Sequence, residues 1–424
     1  MAEPELRMMK VPLKAVELNL LPEEVAGGLE HLGGVVFFDS SGNLPDGSEG
    51  AISIVAARPE EVIRGEVSDV SRLEEVLAAR ASDVSELPNG GLCGWISYEG
   101  AFCFGVYPEM LVYVHDSEQW YEVGGLSSAI KMDWREEGGM EVSGFRQEMT
   151  ERAYLEKVQA IKEYIAAGDI YQVNLAHKFS AEVQGGTAYG LYLELREQSP
   201  APHASYLSLD GTEVLSSSPE TFLKFEGKRV STRPIKGTRP RFSDPAEDQR
   251  SAYELRTSEK EVSELVMITD LERNDLGQVC EFGSVRVDSM LKLESYEHVY
   301  HLVSTVSGEL GSETGQVAAV QACFPGGSIT GAPKKRAMEI IDELESCSRG
   351  VYTGAIGYFG FNGLSQFNIA IRTMVREGDE LHYHVGAGIV ADSDPQAEYH
   401  ETLQKGMGMK LAVSAFKEKC SRGV

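Results

Sequence analysis

The first 145 residues alternate short apolar runs with clusters of glycine, proline, aspartate and serine, a pattern that excludes an all-helical fold. The clearest apolar runs are Gly34–Phe38, Ala51–Val55 and Gly94–Tyr98, and each has the length of a strand. A helical period follows from about Thr150 to Ala167, with apolar residues on one face and Gly168 as a stop. The chain is therefore predicted to mix α and β structure, with a boundary near residue 145.

The charge balance restricts the partners that such a chain can bind. There are 66 acidic and 39 basic residues, which gives a formal net charge of −27 at pH 7. Nucleic acids and anionic membrane surfaces are repelled by a field of this sign, so we exclude both as partners. An anionic substrate would need positive charge concentrated at its own site.

Cysteine usage and the N-terminus indicate the compartment. The segment Met1–Lys14 lacks the apolar stretch of a secretory signal, and no run of about 18 apolar residues occurs anywhere. The six cysteines are scattered without a C-x-x-C pair, which argues against a disulfide framework or a zinc site. We predict a cytoplasmic protein with reduced thiols.

A predicted β-hairpin brings one acid and one amine to the same end of two strands. The strands Thr221–Phe225 and Lys228–Thr232 flank a Glu226–Gly227 turn, so paired positions should sum to about 453. Glu220 enters the hairpin and Lys236 leaves it, and the pairing puts them roughly 10 Å or less apart at ~3.3 Å per residue. This pair is either an ordinary surface ion pair or the acid and amine of a reaction site.

An alternating pattern before the hairpin predicts a half-buried strand. Tyr171, Val173 and Leu175 should point inward, and Gln172 and Asn174 should point to the other face. That polar face either lines a cavity or meets solvent.

Two later segments are predicted to open or carry functional helices. A continuous helical pattern from about Ser251 to Asp275 places Glu261 and Glu264 on one side. The glycine-rich run Gly326–Pro333 opens another helix, whose first N–H groups could face an anion or could simply follow a turn in the chain.

The C-terminal region combines a glycine-containing strand with a charged helix. The strand His384–Val390 contains two glycines and is followed by a helix that begins at Pro395. On this helix Glu398, Glu401 and Lys405 fall at i, i+3 and i+7 and therefore share a face. They form either an exposed salt-bridge stripe or a buried site for a metal and a carboxylate.

Seven motifs together give the sequence a family resemblance. It resembles the chorismate-utilising enzymes, which include anthranilate synthase and aminodeoxychorismate synthase large subunits and the isochorismate and salicylate synthases. The resemblance extends at least from Glu151 to Lys417, and the residues before 145 match more loosely. The motifs are Gly168–Leu175, Ser217–Glu220, Pro234–Thr238, Asp270–Leu276, His301–Ser304, Gly331–Lys334 and Gly386–Ser393.

The resemblance implies an α+β fold of the anthranilate synthase component I type. Two facing, mainly antiparallel β-sheets are expected, surrounded by helices. Residues 1–145 would form the N-terminal region, and residues 146–424 would form the chorismate-binding catalytic domain, with the two halves interleaved.

The resemblance also implies a general acid and a magnesium site. The ring 4-hydroxyl of chorismate leaves poorly as hydroxide, and Glu220 matches the acid that protonates it. Glu264 and Glu401 match the Mg²⁺ ligands, and Glu398 matches a ligand that acts through water. A hard cation of this kind suits carboxylates and would offset the charge of a dianionic substrate.

The remaining expected contacts are with the substrate. Tyr352 and Arg372 match the residues that hold the enolpyruvyl carboxylate, for which a guanidinium fork is well suited. His301 matches a histidine that faces the ring as a catalytic residue. The other expected substrate-binding residues are Thr238, Ser328, Gly386, Gly388 and Lys405.

Two positions distinguish the reactions of the family. Members that add water carry a lysine base at the position of Gln172, so isochorismate and salicylate synthases are disfavoured. Anthranilate synthases have alanine in the motif Pro-Ile-x-Gly-Thr, whereas aminodeoxychorismate synthases have lysine, and here x is Lys236. Amination of chorismate at C4 to 4-amino-4-deoxychorismate, for 4-aminobenzoate and folate synthesis, is therefore expected, with Lys236 as the covalent nucleophile at C2.

The implied partners and the competing interpretations complete the prediction. No glutaminase motif is found, so ammonia is expected from a separate glutaminase subunit, component II. The alternatives are anthranilate synthase component I and, in another functional class, a non-catalytic chorismate-binding regulatory subunit. Asp39 and Ser40 lie where related enzymes bind tryptophan, so this amino acid is a candidate ligand of an N-terminal pocket.

Overall fold

The computed structural model describes residues 13–40, 45, 51–83, 85–134 and 139–422. Within these ranges the helices are α1 Pro22–Leu29, α2 Ser71–Ala79, α3 Glu151–Ala167, α4 Tyr189–Gln198, α5 Pro245–Thr257, α6 Glu259–Gly277, α7 Gln316–Cys323, α8 Lys334–Leu344, α9 Pro395–Lys405 and α10 Met407–Arg422. The first strands are β1 Lys14–Val16, β2 Val36–Asp39, β3 Ile52–Ala56, β4 Glu61–Glu66, β5 Gly91–Ile96, β6 Ala101–Tyr107, β7 Met110–Val114, β8 Gln119–Val123, β9 Glu141–Val142, β10 Arg146–Gln147, β11 Gln172–Gln184 and β12 His203–Leu209. The others are β13 Thr212–Ser218, β14 Thr221–Glu226, β15 Arg229–Arg233, β16 Ile235–Pro240, β17 Arg286–Ser295, β18 Val299–Glu309, β19 Gly331–Ala332, β20 Ala355–Gly360, β21 Leu364–Ile369, β22 Thr373–Glu377 and β23 Glu380–Ile389.

The strands form two large sheets, and their pairings are antiparallel throughout the described residues. The first sheet has the order β1-β8-β7-β3-β2-β12-β13-β22-β23-β11-β10, and β9 and β19 also pair with β11. The second has the order β16-β18-β15-β14-β21-β20-β5-β6-β4, and β17 also pairs with β18. The predicted α+β class with two antiparallel sheets and surrounding helices is confirmed.

Strands from the first 145 residues enter both sheets. In the first sheet β2 pairs with β12, so that Asp39 lies opposite Ala204. In the second, β5 pairs with β20, so that Gly91 lies opposite Gly360. Strands from before and after residue 145 therefore lie in the same two sheets.

The largest buried cluster lies between the sheets. It combines Leu175 and Ile389 of the first sheet with Phe104, Phe222 and Phe367 of the second, each at most 4% exposed. Burying a side chain of this size contributes about 1.5–3 kcal/mol, so this interface accounts for much of the stability of the fold. No helix within the described ranges is both long enough and apolar enough to cross a membrane.

Helix α3 ends where local signals predicted. The Thr150 side chain caps the helix by accepting from the Ala153 N–H, and Gly168 closes it in the left-handed conformation at φ 84°. The glycine-containing strand β23 and the helix begun by Pro395 also form as predicted.

Three local predictions were wrong. In the hairpin Phe225 pairs with Val230, so positions sum to 455 rather than 453, because the turn residues are Gly227 and Lys228 and Gly227 adopts φ 64°. The helical pattern of 251–275 is broken at Ser258, whose side chain caps α6 by accepting from the Glu261 N–H.

The third error concerns the strand before the hairpin. Tyr171 is 72% exposed and lies outside β11, although Val173 and Leu175 are buried as predicted. Gln172 and Asn174 on the opposite, polar face are 1% and 9% exposed, and Asn174 lines a cavity, as one of the two interpretations of this face predicted.

Candidate active site

A cavity of about 690 Å³ lies at one end of the two sheets. All the predicted site residues except Glu398 line it: Glu220, Lys236, Thr238, Glu264, His301, Ser328, Tyr352, Arg372, Gly386, Gly388, Glu401 and Lys405. They come from β16, β18, β23, α6, α9 and the connections between strands, so only the folded chain brings them together.

The charge in this cavity differs from that of the whole chain. Its lining includes five cationic side chains (Lys236, Arg239, Lys260, Arg372 and Lys405) and four carboxyl groups (Glu220, Glu261, Glu264 and Glu401). The complete sequence has 39 basic and 66 acidic residues. The cavity lining therefore has a small excess of cationic groups in a chain that is acidic overall.

Glu220 lies in the connection between β13 and β14 and is 5% exposed. Burial raises the pKa of its carboxyl, and the opposing effects of Ser328, Lys236 and Arg372 are smaller. The Ser328 hydroxyl lies toward this carboxyl without forming a hydrogen bond of standard geometry. A carboxyl in this environment holds its proton better than an exposed one, which suits proton donation.

Lys236 lies on β16, next to an irregularity in the pairing with β18. Its Nζ donates to the Ser328 carbonyl oxygen at 3.3 Å. The following residue, Gly237, adopts φ 75°, and a Cβ there would come within 2.6 Å of Leu255. This irregularity lets Lys236, Gly237 and Thr238 all line the cavity.

His301 faces the cavity from β18 and is 3% exposed. Its Nδ1 lies 3.0 Å from the Thr238 hydroxyl oxygen, and its ring packs edge-on against Tyr296. Burial, with a smaller effect from Arg372, lowers the pKa of His301 to about 4. The imidazole is therefore neutral at neutral pH.

Three carboxylates and two ammonium groups lie together at α6 and α9. Lys405 pairs with Glu401 at 2.9 Å, and Lys260 pairs with Glu398 at 3.0 Å. Glu398 also accepts from the Ser393 hydroxyl at 2.7 Å. In the part of the chain that the structure describes, no three acidic, histidine or cysteine side chains are arranged as a metal site.

The same carboxylates retain unused acceptors. Glu264 Oε1 and Glu398 Oε2 are buried and have no hydrogen-bond partner within the described residues. Buried oxygens without partners are costly unless a ligand satisfies them. Hard carboxylate oxygens are the donors that Mg²⁺ takes, so this group of residues fits the expected ion.

Two glycines on β23 form another part of the cavity wall, and Lys405 Nζ donates to the Gly386 carbonyl oxygen at 3.1 Å. A Cβ at Gly386 would lie 2.8 Å from Asn174 Oδ1 and 2.9 Å from the Tyr352 hydroxyl oxygen. A Cβ at Gly388 would lie 2.3 Å from Gln172 Nε2. Glycine is required at both positions because polar groups occupy the space that a side chain would need.

Tyr352 and Arg372 complete this wall. The Tyr352 ring stacks on His384 with centroids 5.2 Å apart. Arg372 adopts φ 52°, a strained conformation for a residue with a side chain. Strain of this kind is retained where the surroundings fix it, and Arg372 is one of the residues that line the cavity.

Sequence reasoning missed four residues of the site and its support: Lys260, Glu272, Arg349 and His384. Lys260 stands four residues before Glu264 on α6, which was a usable signal. His384 was assigned only to a strand. Arg349 is 1% exposed and pairs with Glu345 at 2.7 Å, which no pattern in its loop indicates.

A second cavity, the N-terminal pocket, has a volume of about 50 Å³. Its lining is Phe38, Asp39, Ser40, Ile52, Ile54, Pro202, His203, Ala204, Ile356, Gly357, Tyr358, Gln366 and Asn368. Tryptophan is the candidate ligand of this pocket. The volume suits one or two water molecules, so tryptophan binding stays a prediction that would require the pocket to widen.

Comparison with known proteins places the chain in a family. Residues 134–410 match the family described as chorismate binding enzyme. Anthranilate synthase component 1 of Streptomyces coelicolor is 49% identical over 271 residues, which are 64% of this chain and 53% of that protein. Aminodeoxychorismate synthase component 1 of Bacillus subtilis is 46% identical over 275 residues, which are 65% of this chain and 58% of that protein.

A solved structure extends the likeness to the fold. Anthranilate synthase component I from Streptococcus pneumoniae superposes with a TM-score of 0.76 at 29% identity and covers 86% of this chain and 92% of that one. The match to the two relatives named above spans little more than half of their lengths. With the family match over residues 134–410 and the cavity within it, the chain belongs to the chorismate binding enzymes.

Proposed function

We propose that the protein aminates chorismate at C4 and forms 4-amino-4-deoxychorismate, the reaction of an aminodeoxychorismate synthase component I. The observation that carries this proposal is the position of Lys236, an amine in the cavity wall close to the buried acid Glu220. An anthranilate synthase would have alanine there, and a water-adding enzyme would have lysine in place of Gln172.

The chemistry assigns one role to each member of the pair. Neutral Lys236 attacks C2 of the ring and forms a C–N bond, while both ring double bonds shift toward C4 and the C4–O bond breaks. Glu220 gives its proton to the departing 4-hydroxyl, which leaves as water. Ammonia then forms a bond to C4, and the C2–N bond to Lys236 breaks.

The other residues orient the substrate. Arg372 and the Tyr352 hydroxyl would bind the enolpyruvyl carboxylate, and Lys405 with the backbone at Gly386 and Gly388 would lie along the substrate carboxylates. His301, held by Thr238, presents a neutral ring to the substrate. Ser328 and Thr238 supply further hydroxyl groups at the cavity wall.

Glu264 and Glu401 would hold Mg²⁺, with Glu398 acting through water. The ion would supply positive charge to the ring carboxylate of the substrate. For this arrangement Glu401 and Glu398 must share their oxygens with the ion or release Lys405 and Lys260, which they bind here.

Ammonia would come from a separate glutaminase subunit, with free ammonium as a substitute in the test tube. The decisive experiment incubates the purified chain with chorismate, Mg²⁺ and ammonium at alkaline pH, with and without an aminodeoxychorismate lyase. We expect 4-aminobenzoate only when the lyase is added, and no anthranilate.

The relative that is 49% identical carries the name anthranilate synthase, which makes that reaction the second candidate. Anthranilate formed without the lyase would establish it and would remove the role proposed for Lys236. Chorismate binding without turnover in the presence of ammonium and Mg²⁺ would instead favour a non-catalytic subunit.

A further inference from the structure

The short turn Gly327–Ile329, called the 327–329 turn below, forms part of the cavity wall between α7 and β19. The Ser328 carbonyl oxygen in this turn accepts from Lys236 Nζ at 3.3 Å. This is the hydrogen bond through which the Lys236 amine contacts the wall. The position of the turn therefore affects where the amine lies relative to the substrate.

Two buried ionisable side chains hold the turn at its ends. The Gly327 N–H donates to Glu272 Oε1 at 3.2 Å, and Arg349 Nη1 donates to the Ile329 carbonyl oxygen at 3.1 Å. Glu272 is 3% exposed and Arg349 is 1% exposed. Neither residue lines the cavity, so both reach the site only through the turn.

Helix α6 packs directly against the start of the turn. A Cβ on Gly327 would lie 2.5 Å from Leu271 and 3.1 Å from Glu272 Oε1. Because the residue is glycine, the backbone comes close enough for its N–H to reach the carboxyl.

The second oxygen of Glu272 reaches the other side of the site. The Thr232 hydroxyl donates to Glu272 Oε2 at 3.5 Å, and Thr232 stands on β15, four residues before Lys236. One carboxyl thus contacts both the turn that accepts from Lys236 and the strand that leads to it.

We propose that Glu272 is a positioning residue for Lys236, which it serves by fixing the 327–329 turn through the Gly327 N–H. The inference rests on the proposed function, because it assigns Glu272 to the reaction of Lys236. Glu272 does not touch the substrate.

The charge of Glu272 is not what this role requires. Burial and the neighbouring Asp275 raise its pKa to about 8, with Lys334 opposing and Glu220 contributing in the same direction. The carboxyl is therefore mostly protonated at neutral pH. A glutamine side chain reproduces that neutral form and keeps an oxygen for the Gly327 N–H.

The experiment compares three substitutions of Glu272 with one control. Glu272→Gln keeps the acceptor, Glu272→Ala removes it, and Glu272→Asp keeps an acid but withdraws it by one methylene from Gly327. Thr269→Val is the control, because Thr269 is buried on the same helix and its hydroxyl, among the described residues, bonds only to the Leu265 carbonyl oxygen. Amination kinetics with ammonium are measured for each folded variant, as judged by circular dichroism.

We expect kcat to fall about tenfold in the Ala and Asp variants, as the loss of one buried hydrogen bond implies, with KM for chorismate changed less than about twofold. The Gln variant should keep more than about half of the wild-type kcat. Should Glu272→Ala fail to fold, the contrast between Asp and Gln decides the question.

A second measurement does not depend on turnover. Trinitrobenzenesulfonate labelling of Lys236 at one fixed pH, followed by mass spectrometry of the Lys236 peptide, should be several-fold faster in the Asp or Ala variant than in wild type and the Gln variant. Wild-type kcat and labelling in all variants, or a Gln variant as impaired as Ala, would overturn the proposal. An equal loss in Thr269→Val would also overturn it.

The two proposals can fail separately. If wild-type protein forms no 4-amino-4-deoxychorismate, the proposed function fails, whereas the labelling rates still report whether Glu272 places Lys236. If wild type aminates chorismate and the Ala and Asp variants match it, only the role of Glu272 fails.

Discussion

The large cavity and the N-terminal pocket differ in how their buried polar groups are paired. In the cavity Asn174 Oδ1, Glu264 Oε1 and His384 Nδ1 are buried without a hydrogen-bond partner among the described residues. In the N-terminal pocket Asp39 accepts from Arg196 at 2.6 Å, Tyr192 at 3.2 Å and Ser53 at 3.3 Å. The large cavity contains buried polar atoms without a partner among the described residues, whereas the carboxylate of Asp39 is hydrogen-bonded within the fold.

The pairing of buried polar atoms can therefore distinguish a ligand site from a structural site when both are equally buried. Unpaired buried acceptors cost free energy in the empty protein, and the cost is recovered when a ligand binds. Paired acceptors stabilise the protein without a ligand. Substitutions in the cavity should therefore change rates, and substitutions around Asp39 should change stability.

Lys236→Ala should have the largest effect. Removing the proposed nucleophile is expected to reduce the amination rate on the order of 10³-fold or more while the protein still binds chorismate. Product formation with ammonium is followed by mass spectrometry, and binding by calorimetry. Lys228→Ala is the matched control, because Lys228 lies on the exposed turn between β14 and β15, and β15 leads to the strand that carries Lys236. Full activity of Lys236→Ala would refute the nucleophile role.

Glu220→Gln should have the second-largest effect. The amination rate should fall about 10²–10⁴-fold, as expected for the loss of a general acid. Because burial raises the pKa of Glu220, the acid form should persist to higher pH than usual, and the rate should fall as pH rises through that pKa. The variant should lose this limb of the pH–rate profile. Glu226→Gln, at the exposed end of β14, should keep it, and a retained limb in Glu220→Gln would assign the acid to another group.

Asp39→Asn tests the structural side of the comparison. We expect kcat to stay within about twofold, while the free energy of unfolding falls by about 1–3 kcal/mol because Arg196 loses a buried partner. Urea denaturation measures the change. The exposed pair Arg58–Glu109 supplies the control Glu109→Gln, with an expected loss below about 1 kcal/mol. A large kcat effect with unchanged stability would break the distinction.

His203→Gln should give the smallest effect and concerns pH. Burial, with smaller effects of Arg233 and Lys224, lowers the pKa of His203 to about 3. The unfolded chain binds a proton below pH ~6.5 whereas the folded chain does not, so this stability is complete above pH ~6.5 and declines as pH falls toward 3. From pH 7 to pH 5 the free energy of unfolding should fall by about 1–2 kcal/mol because of His203.

The variant should flatten this part of the stability profile without changing the rate at neutral pH. Denaturation midpoints at pH 7 and pH 5 measure it against wild type. The same slope in both proteins would assign the pH dependence to other buried histidines.

Local signals predicted local structure well. Helix α3 followed from a regular apolar period and the stop at Gly168, both within one segment. The hairpin register was wrong by two because Gly227 can occupy either position of a two-residue turn, and only the pairing partners decide which. The break at Ser258 was missed since both flanking segments share one helical period.

The site residues were predicted through motifs, but no role was predicted for the residues that support them, although Glu272 lies within the motif Asp270–Leu276. Glu220 and Lys236 belong to short patterns with a chemical meaning, and the cavity includes both. Glu272 and Arg349 act on a backbone turn that is distant in sequence, so their contacts exist only after folding. A hydrogen bond from a buried side chain to a distant backbone turn produces no recognisable spacing in the sequence. Two metal ligands on one helix do produce such a spacing.

The sharing of sheets by both ends of the chain has a consequence for biosynthesis. Gly91 of β5 finds its partner only when Gly360 of β20 has been made, and at ~5–20 residues per second this takes on the order of tens of seconds. Until then β5 presents an edge that other nascent chains could pair with. Slow translation or scarce chaperones should thus reduce the yield of this protein more than that of a protein whose neighbouring strands are consecutive.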